Sequence, residues 1–112
     1  MKKIDAIIRP NKLEELKLAL QGINVKGITI SQVMGCGNQK GWKEFYRGNK
    51  VIMNVLPKIK IELVVNDDKV KETIATIIEH AHTGEVGDGK IFVSDISDCV
   101  RIRTGEKGEA AL

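Results

Sequence analysis

The stretch Lys58-Ile59-Lys60-Ile61-Glu62-Leu63-Val64-Val65, continued by Asn66-Asp67-Asp68-Lys69 and then by Val70 to Ala81, decides the fold. Ile59, Ile61, Leu63 and Val65 alternate with Lys58, Lys60, Glu62 and Val64, the period-two pattern of a strand with one apolar and one mixed face. Asp67 or Asp68 then caps a helix whose apolar stripe is Val70, Ile74, Ile77, Ile78 and Ala81. A glycine-rich turn leads into a further strand, Ile91 to Ile96.

Working outward, the same order recurs upstream. At an offset of 57 positions, Lys3, Ile4, Ile7, Lys12, Leu13, Glu15 and Leu20 fall on Lys60, Ile61, Val64, Lys69, Val70, Glu72 and Ile77. Ile4, Ala6 and Ile8 alternate as a strand that Pro10 ends. Asn11 is placed as an N-cap with Glu14 at the capping-box position, and Leu13, Leu16, Leu20 and Ile23 recur at helical spacing until Gly22 and Gly27 close the segment. A strand through Ile28, Ile30 and Val33 follows, and a short strand, Cys99 to Arg103, precedes a polar tail. The order strand, helix, strand, strand, helix, strand predicts an α+β, ferredoxin-like βαββαβ sandwich as one domain over residues 1–112.

Composition narrows the function classes. The 112 residues are 42% hydrophobic and 29% charged, too apolar for a disordered chain, and no apolar run approaches the ~20 residues that span a bilayer. Met1-Lys2-Lys3-Ile4-Asp5 lacks the apolar core of an export signal, so a cytoplasmic location is expected. Cys36 and Cys99 stand far apart without metal-ligand spacing, which predicts reduced thiols. The net charge of +3 is too small to point to nucleic acid, yet residues 38–58 hold Lys40, Lys43, Arg47, Lys50 and Lys58 against Glu44 alone. That concentration suits a small anion or an acidic partner surface.

About twenty residues, 37–57, separate the second and third strands where a hairpin needs two to five, and long connections in compact domains tend to be functional. This connection carries Trp42, Phe45 and Tyr46, three of the four aromatics, interleaved with Lys43, Arg47 and Lys50. They read either as a partner-binding surface or as rings folded back onto the sheet.

Gly84-Glu85-Val86-Gly87-Asp88-Gly89-Lys90, within a loop over 82–90, fits the G-x-x-x-x-G-K half of a phosphate-binding loop. Ile91 replaces the Ser or Thr that would ligate magnesium, and a strand follows instead of a helix, so the segment is not a Walker A loop. Phosphate binding through amides and Lys90, or a plain tight turn, both remain open. Arg101 and Arg103, two apart on an extended segment, present two guanidinium groups on one face, suited either to a polyphosphate or to solvent. Gly35-Cys36-Gly37-Asn38-Gln39-Lys40-Gly41 is a third glycine-rich stretch. His80 and His82 face differently, and no nucleophile–base set or carboxylate pair stands out, so the chain reads as a sensor and not an enzyme. The competing classes are an ATP-hydrolysing or phosphoryl-transfer enzyme and an RNA binder; the latter needs stacking aromatics on strands, where only Phe92 is expected.

On these residues the chain resembles the PII nitrogen-regulatory signal-transduction proteins from Met1 to Leu112. Thr83-Gly84-Glu85-Val86-Gly87-Asp88-Gly89-Lys90-Ile91-Phe92-Val93 matches the family's second signature, and Lys2 to Pro10, Gln39-Lys40-Gly41, Leu56-Pro57-Lys58 and Arg101-Ile102-Arg103-Thr104-Gly105 resemble family segments. The resemblance implies a homotrimer with ATP or ADP in the clefts between subunits, and sensing of 2-oxoglutarate. Gly87, Asp88, Gly89 and Lys90 would meet the phosphates, with Arg101 and Arg103 from the neighbouring chain. Ile7, Thr29, Gly35, Gly37, Glu62 and Val64 would line the adenine and ribose end. Gln39, Lys40, Gly41 and Lys58, with Arg9, would hold 2-oxoglutarate, and Gln39 would join phosphate and 2-oxoglutarate oxygens around Mg2+. The long loop, with Trp42, Phe45, Tyr46 and Arg47, would present itself to an ammonium transporter or to a soluble nitrogen-metabolism enzyme or regulator. The membrane would be met only through that transporter, and nucleic acid not directly. Asn49 and Val51 stand where members carry a modifiable Ser or Tyr, so neither covalent switch is expected at its usual place. Asn38 stands where many members have Arg.

Overall fold

The computed structural model describes residues 1–37, 44–46, 49–51 and 54–112. Among these residues, six strands and two α-helices follow in the order β1 (Lys2–Ile8), α1 (Leu13–Gly22), β2 (Thr29–Gly37), β3 (Glu44–Tyr46), β4 (Asn49–Val51), β5 (Asn54–Val65), α2 (Val70–Ala81) and β6 (Lys90–Asp95). The main sheet is antiparallel in the order β2-β5-β1-β6, which is the ferredoxin-like arrangement expected from the element order. Period-two alternation decides its two faces. Ile4, Ala6, Ile8, Ile59, Ile61, Leu63 and Val65 are buried beneath the helices with Leu16 and Leu20 of α1 and Ile77 and Ala81 of α2. The other face carries the mixed residues, and among the described residues no helix covers it.

Several local expectations are corrected. Pro10–Lys12 forms a 3-10 turn ahead of α1, so Asn11 lies inside it, exposed, and does not cap the helix. Asp67–Lys69 does the same ahead of α2; neither aspartate caps the helix, and Asp67 pairs with the Met1 ammonium at 2.9 Å. Thr73 is fully buried in the stripe of α2 where Ile78 was expected; Ile78 is half exposed. Thr73 tolerates burial because its hydroxyl donates to the Lys69 carbonyl at 2.8 Å.

The strands flanking the long connection are longer than the alternation indicates. β2 runs on to Gly37 and β5 begins at Asn54, pairing Gly37 with Asn54, so the two form a ribbon that projects beyond the helices and leaves Met34 and Val55 exposed. Within the connection β3 pairs with β4, so Phe45 and Tyr46 lie on a strand as well as Phe92. The last predicted strand reduces to one bridge between Val100 and Lys107, closed by a turn in which the Gly105 amide donates to the Arg101 carbonyl. Arg101 and Arg103 therefore sit on a turn and not on an extended segment. Among the described residues, no helix is long and apolar enough to cross a membrane.

Candidate functional site

The glycine loop between α2 and β6 is organised around the carboxylate of Asp88. It accepts the amides of Thr83 and Gly84 at 2.8 and 2.9 Å, the Thr83 hydroxyl, and Arg9 Nε at 3.0 Å. The Thr83 hydroxyl and amide, with Gly84 and Arg9, hold this carboxyl far below the usual aspartate range. The loop is also clamped through its carbonyls. Arg9 Nη2 donates to Val86 at 2.9 Å and Lys58 Nζ to Gly87 at 2.6 Å. Gly89, at φ +102°, lies so close to β1 that a Cβ would stand 1.7 Å from the Ile7 carbonyl oxygen.

Strand register aligns the remaining candidates on the uncovered sheet face. Thr29 on β2 opposes Glu62 on β5, which opposes Asp5 on β1, which opposes Phe92 on β6. One row along, Lys60 opposes Ile7, and Ile7 opposes Lys90; beyond Glu62 in the other direction, Val64 opposes Lys3. Gly35 lies against the Lys58 stem, where a Cβ would meet Cγ at 3.1 Å. Thr29, Glu62 and Val64, together with Lys3, line a cleft of about 580 Å³ that the C-terminal Glu109 and Leu112 also border.

Thus Ile7, Gly87, Asp88, Gly89 and Lys90 are gathered with Arg9 and Lys58 at one end of the sheet, while Thr29, Glu62 and Val64 border a cleft whose lining also takes in Leu63 and Val65 of the helix-covered face. Arg101 belongs to neither group within one chain. Its guanidinium donates to Glu106 Oε1 at 2.8 Å and to the Leu112 carbonyl at 3.3 Å, and Arg103 is exposed. Gly37 ends β2; Gln39, Lys40, Gly41, Trp42 and Arg47 lie outside the described residues. His80 pairs with Glu15 at 2.9 Å across the helices and is engaged in packing α1 on α2.

Sequence reasoning passed over Lys3, Asp5, Lys60 and Thr83. Lys3 Nζ stands 3.1 Å from Glu62 Oε1 and 3.6 Å from Asp5 Oδ1, and Lys60 Nζ stands 3.3 Å from the same Glu62 oxygen. The signal was present: all four charges occupy the mixed positions of their strands, so they must share one face. Hydrogen bonds from Lys3 and Lys60 lower the Glu62 pKa, and the same Glu62 contact raises that of Lys3.

The donor set fits a polyphosphate: the loop glycines approach closely, and Lys90 is exposed beside Ile7 at the start of β6. For a magnesium ion the carboxylate of Asp88 is already engaged by four donors, so oxygens would have to come from elsewhere.

Comparison with known proteins agrees with this geometry. The family described as nitrogen regulatory protein P-II matches residues 1–106. The chain is 53% identical over all 112 residues to a nitrogen regulatory protein P-II of Azospirillum brasilense, and 54% identical to that of Bradyrhizobium diazoefficiens, each covered in full. It is 52% identical, again over both full lengths, to nitrogen regulatory protein P-II 1 of Escherichia coli. With the signature loop, the sheet order and full-length relatives in agreement, the chain belongs to the nitrogen regulatory protein P-II family and has its role in nitrogen signal transduction.

Proposed function

We propose that this protein is a non-enzymatic sensor that binds ATP or ADP together with 2-oxoglutarate and transmits their state through residues 37–57 to an ammonium transporter or to a soluble enzyme or regulator of nitrogen metabolism. It acts as a cytoplasmic homotrimer, with Arg101 and Arg103 of one subunit reaching the phosphate loop of the next. The engagement of Arg101 with its own C-terminal segment and not with its own glycine loop is compatible with that assembly.

The observation that carries the reading is the clamp on the glycine loop. Lys58 and Arg9, the cations suited to the carboxylates of 2-oxoglutarate, hold the carbonyls of Gly87 and Val86 inside the loop suited to phosphates. A ligand that draws on either cation alters the loop that meets the other ligand, so the affinities are coupled, and coupling of this kind is reciprocal. ATP supplies the γ-phosphate oxygen that ADP lacks, so Gln39, with the oxygens of ATP and 2-oxoglutarate, would hold a magnesium ion that would offset the charge of phosphate and carboxylate, and ADP would support that less well. Control by ligand suits a chain with Asn49 and Val51 at the usual modification places.

Calorimetric titration of 2-oxoglutarate into the protein with Mg-ATP, with Mg-ADP and with no nucleotide tests this. Binding is expected with Mg-ATP alone. Equal binding in all three cells, or none in any, overturns the coupled sensor. Absence of a trimer by light scattering overturns the intersubunit site, and steady ATP turnover by the purified protein overturns its non-enzymatic character.

A further inference from the structure

The turn near the end of the chain holds Arg101 through side chain and main chain alike. Arg101 Nη1 donates to Glu106 Oε1 at 2.8 Å, and Nη2 donates to the Leu112 carbonyl at 3.3 Å. The same Glu106 oxygen accepts the Thr104 hydroxyl at 2.9 Å, while the Thr104 oxygen accepts the Glu106 amide at 3.2 Å. In the main chain the Arg101 amide donates to the Glu106 carbonyl and the Gly105 amide to the Arg101 carbonyl, each at 2.8 Å, beside the bridge between Val100 and Lys107. An exposed ion pair between two freely moving side chains contributes little. Here the turn fixes the backbone at both ends of the pair, so less freedom is lost in making it. Arg103, two positions on, is exposed and takes no part in this network. Of the two guanidinium groups, one therefore has its charge answered within the turn.

We propose that Glu106 is a built-in competitor for anions: its carboxylate occupies the Arg101 guanidinium and has to give way before that group takes up a phosphate, so Glu106 sets how tightly a polyphosphate is held. The inference rests on the reading in which Arg101 meets the nucleotide phosphates of the neighbouring subunit. A guanidinium offers the same planar fork of N–H donors to a carboxylate as to a phosphate, so the two anions contend for one group. They also repel one another when both are seated on it. Both side chains of the pair are partly exposed, so the carboxylate that leaves is received by water and the exchange costs little.

The experiment measures the affinity of the full-length protein for Mg-ATP by calorimetry, at low and at high salt, for the unsubstituted chain and for Glu106→Gln, Glu106→Asp and Asp98→Asn. Glu106→Gln keeps an oxygen that accepts from Arg101 and Thr104 and removes the charge, so the turn is retained and ATP binding is expected to tighten about three- to fivefold. That gain should shrink as salt is raised. Glu106→Asp keeps the charge but draws the carboxylate back from the guanidinium, and should tighten binding by a smaller factor. Asp98→Asn makes the same change of net charge on an exposed side chain that accepts the Cys99 amide, and should leave the affinity unmoved. Urea midpoints establish that the variants are folded, and Glu106→Asp carries the test if Glu106→Gln is not. Unchanged or weaker ATP binding in the folded Glu106 variants, with the unsubstituted protein binding ATP, overturns the competitor and leaves the nucleotide reading intact. An equal gain in Asp98→Asn does the same, since the effect is then one of net charge. Failure of the unsubstituted protein to bind Mg-ATP overturns both.

Discussion

Lys58 Nζ donates a 2.6 Å hydrogen bond to the carbonyl of Gly87, tying β5 to the turn before β6 across 29 positions of sequence. The side chain leaves β5 on the uncovered face, and the loop comes to it because β1 lies between β5 and β6 in the sheet. A charged donor on a backbone carbonyl is a strong contact, and the same ammonium is the one an anionic effector would draw on.

Replacing Lys58 by Met should therefore weaken two ligands and not one. Without 2-oxoglutarate present, Mg-ATP affinity is expected to fall about tenfold, the loss of one charge-assisted bond. Calorimetry on the variant checks this. Unchanged ATP affinity would mean that the clamp does not shape the loop.

Asp88 gives a pH dependence whose sign follows from its environment. Its folded pKa is depressed below the ordinary 3.8, so the stability it contributes is present above that value and is lost as pH falls through it toward the folded one. Glu62, lowered from 4.5, acts in the same direction, while Lys3, raised from 10.5, contributes stability that is lost as pH rises above that range. Urea midpoints should stay level from about pH 5 to 9 with respect to these groups and fall below about pH 4. Asp88→Asn should lower the plateau and flatten the acid limb, because one amide nitrogen then confronts donors it cannot accept.

How much was readable in advance follows from the kind of signal. Ile4, Ala6, Ile8 and Ile59 to Val65 gave strands and faces because alternation is enforced by burial on one side only. The ribbon formed by Met34 to Gly37 and Asn54 to Leu56 was missed because neither face is packed beneath a helix, so no apolar period marks it. Asn11 and Asp67 looked like caps, yet each helix enters through a 3-10 turn whose own backbone bonds, such as Lys12 to the Arg9 carbonyl, satisfy the entry without a side chain. The glycine loop was legible as a pattern. Its clamps were not, since Arg9 and Lys58 reach it only through sheet order. Lys3 and Lys60 escaped notice because a lysine on a mixed strand face looks like a solvated one until its partner is known.

Thr73 and Ile77, both buried in α2, should respond very differently to truncation. Ile77→Ala leaves a cavity under the sheet and is expected to cost about 2–5 kcal/mol. Thr73→Val keeps the volume and removes a hydroxyl bonded only to the Lys69 carbonyl, which an α-helix already supplies with a backbone donor, so a change within about 1 kcal/mol is expected. Urea unfolding of the two variants checks the contrast. A large loss for Thr73→Val would mean that the hydroxyl has a further partner.

Gly89 and Gly105 offer the cleanest separation of backbone strain from collision. Both have positive φ, +102° and +73°, so alanine at either position is strained. At Gly105 nothing lies within 4 Å of the new Cβ, and the cost should be the strain alone, about 1–2 kcal/mol. At Gly89 the Cβ would stand 1.7 Å from the Ile7 carbonyl oxygen, a backbone atom of the central strand that cannot turn aside. Gly89→Ala must therefore displace the loop from β1, carrying Asp88 and Lys90 with it. The expected result is a loss exceeding that of Gly105→Ala by at least about 2 kcal/mol, together with loss of phosphate-dependent ATP binding. If the two variants prove equally stable in urea, the close approach of the loop to Ile7 is not maintained in solution, and the account of how β1 seats the phosphate loop fails with it.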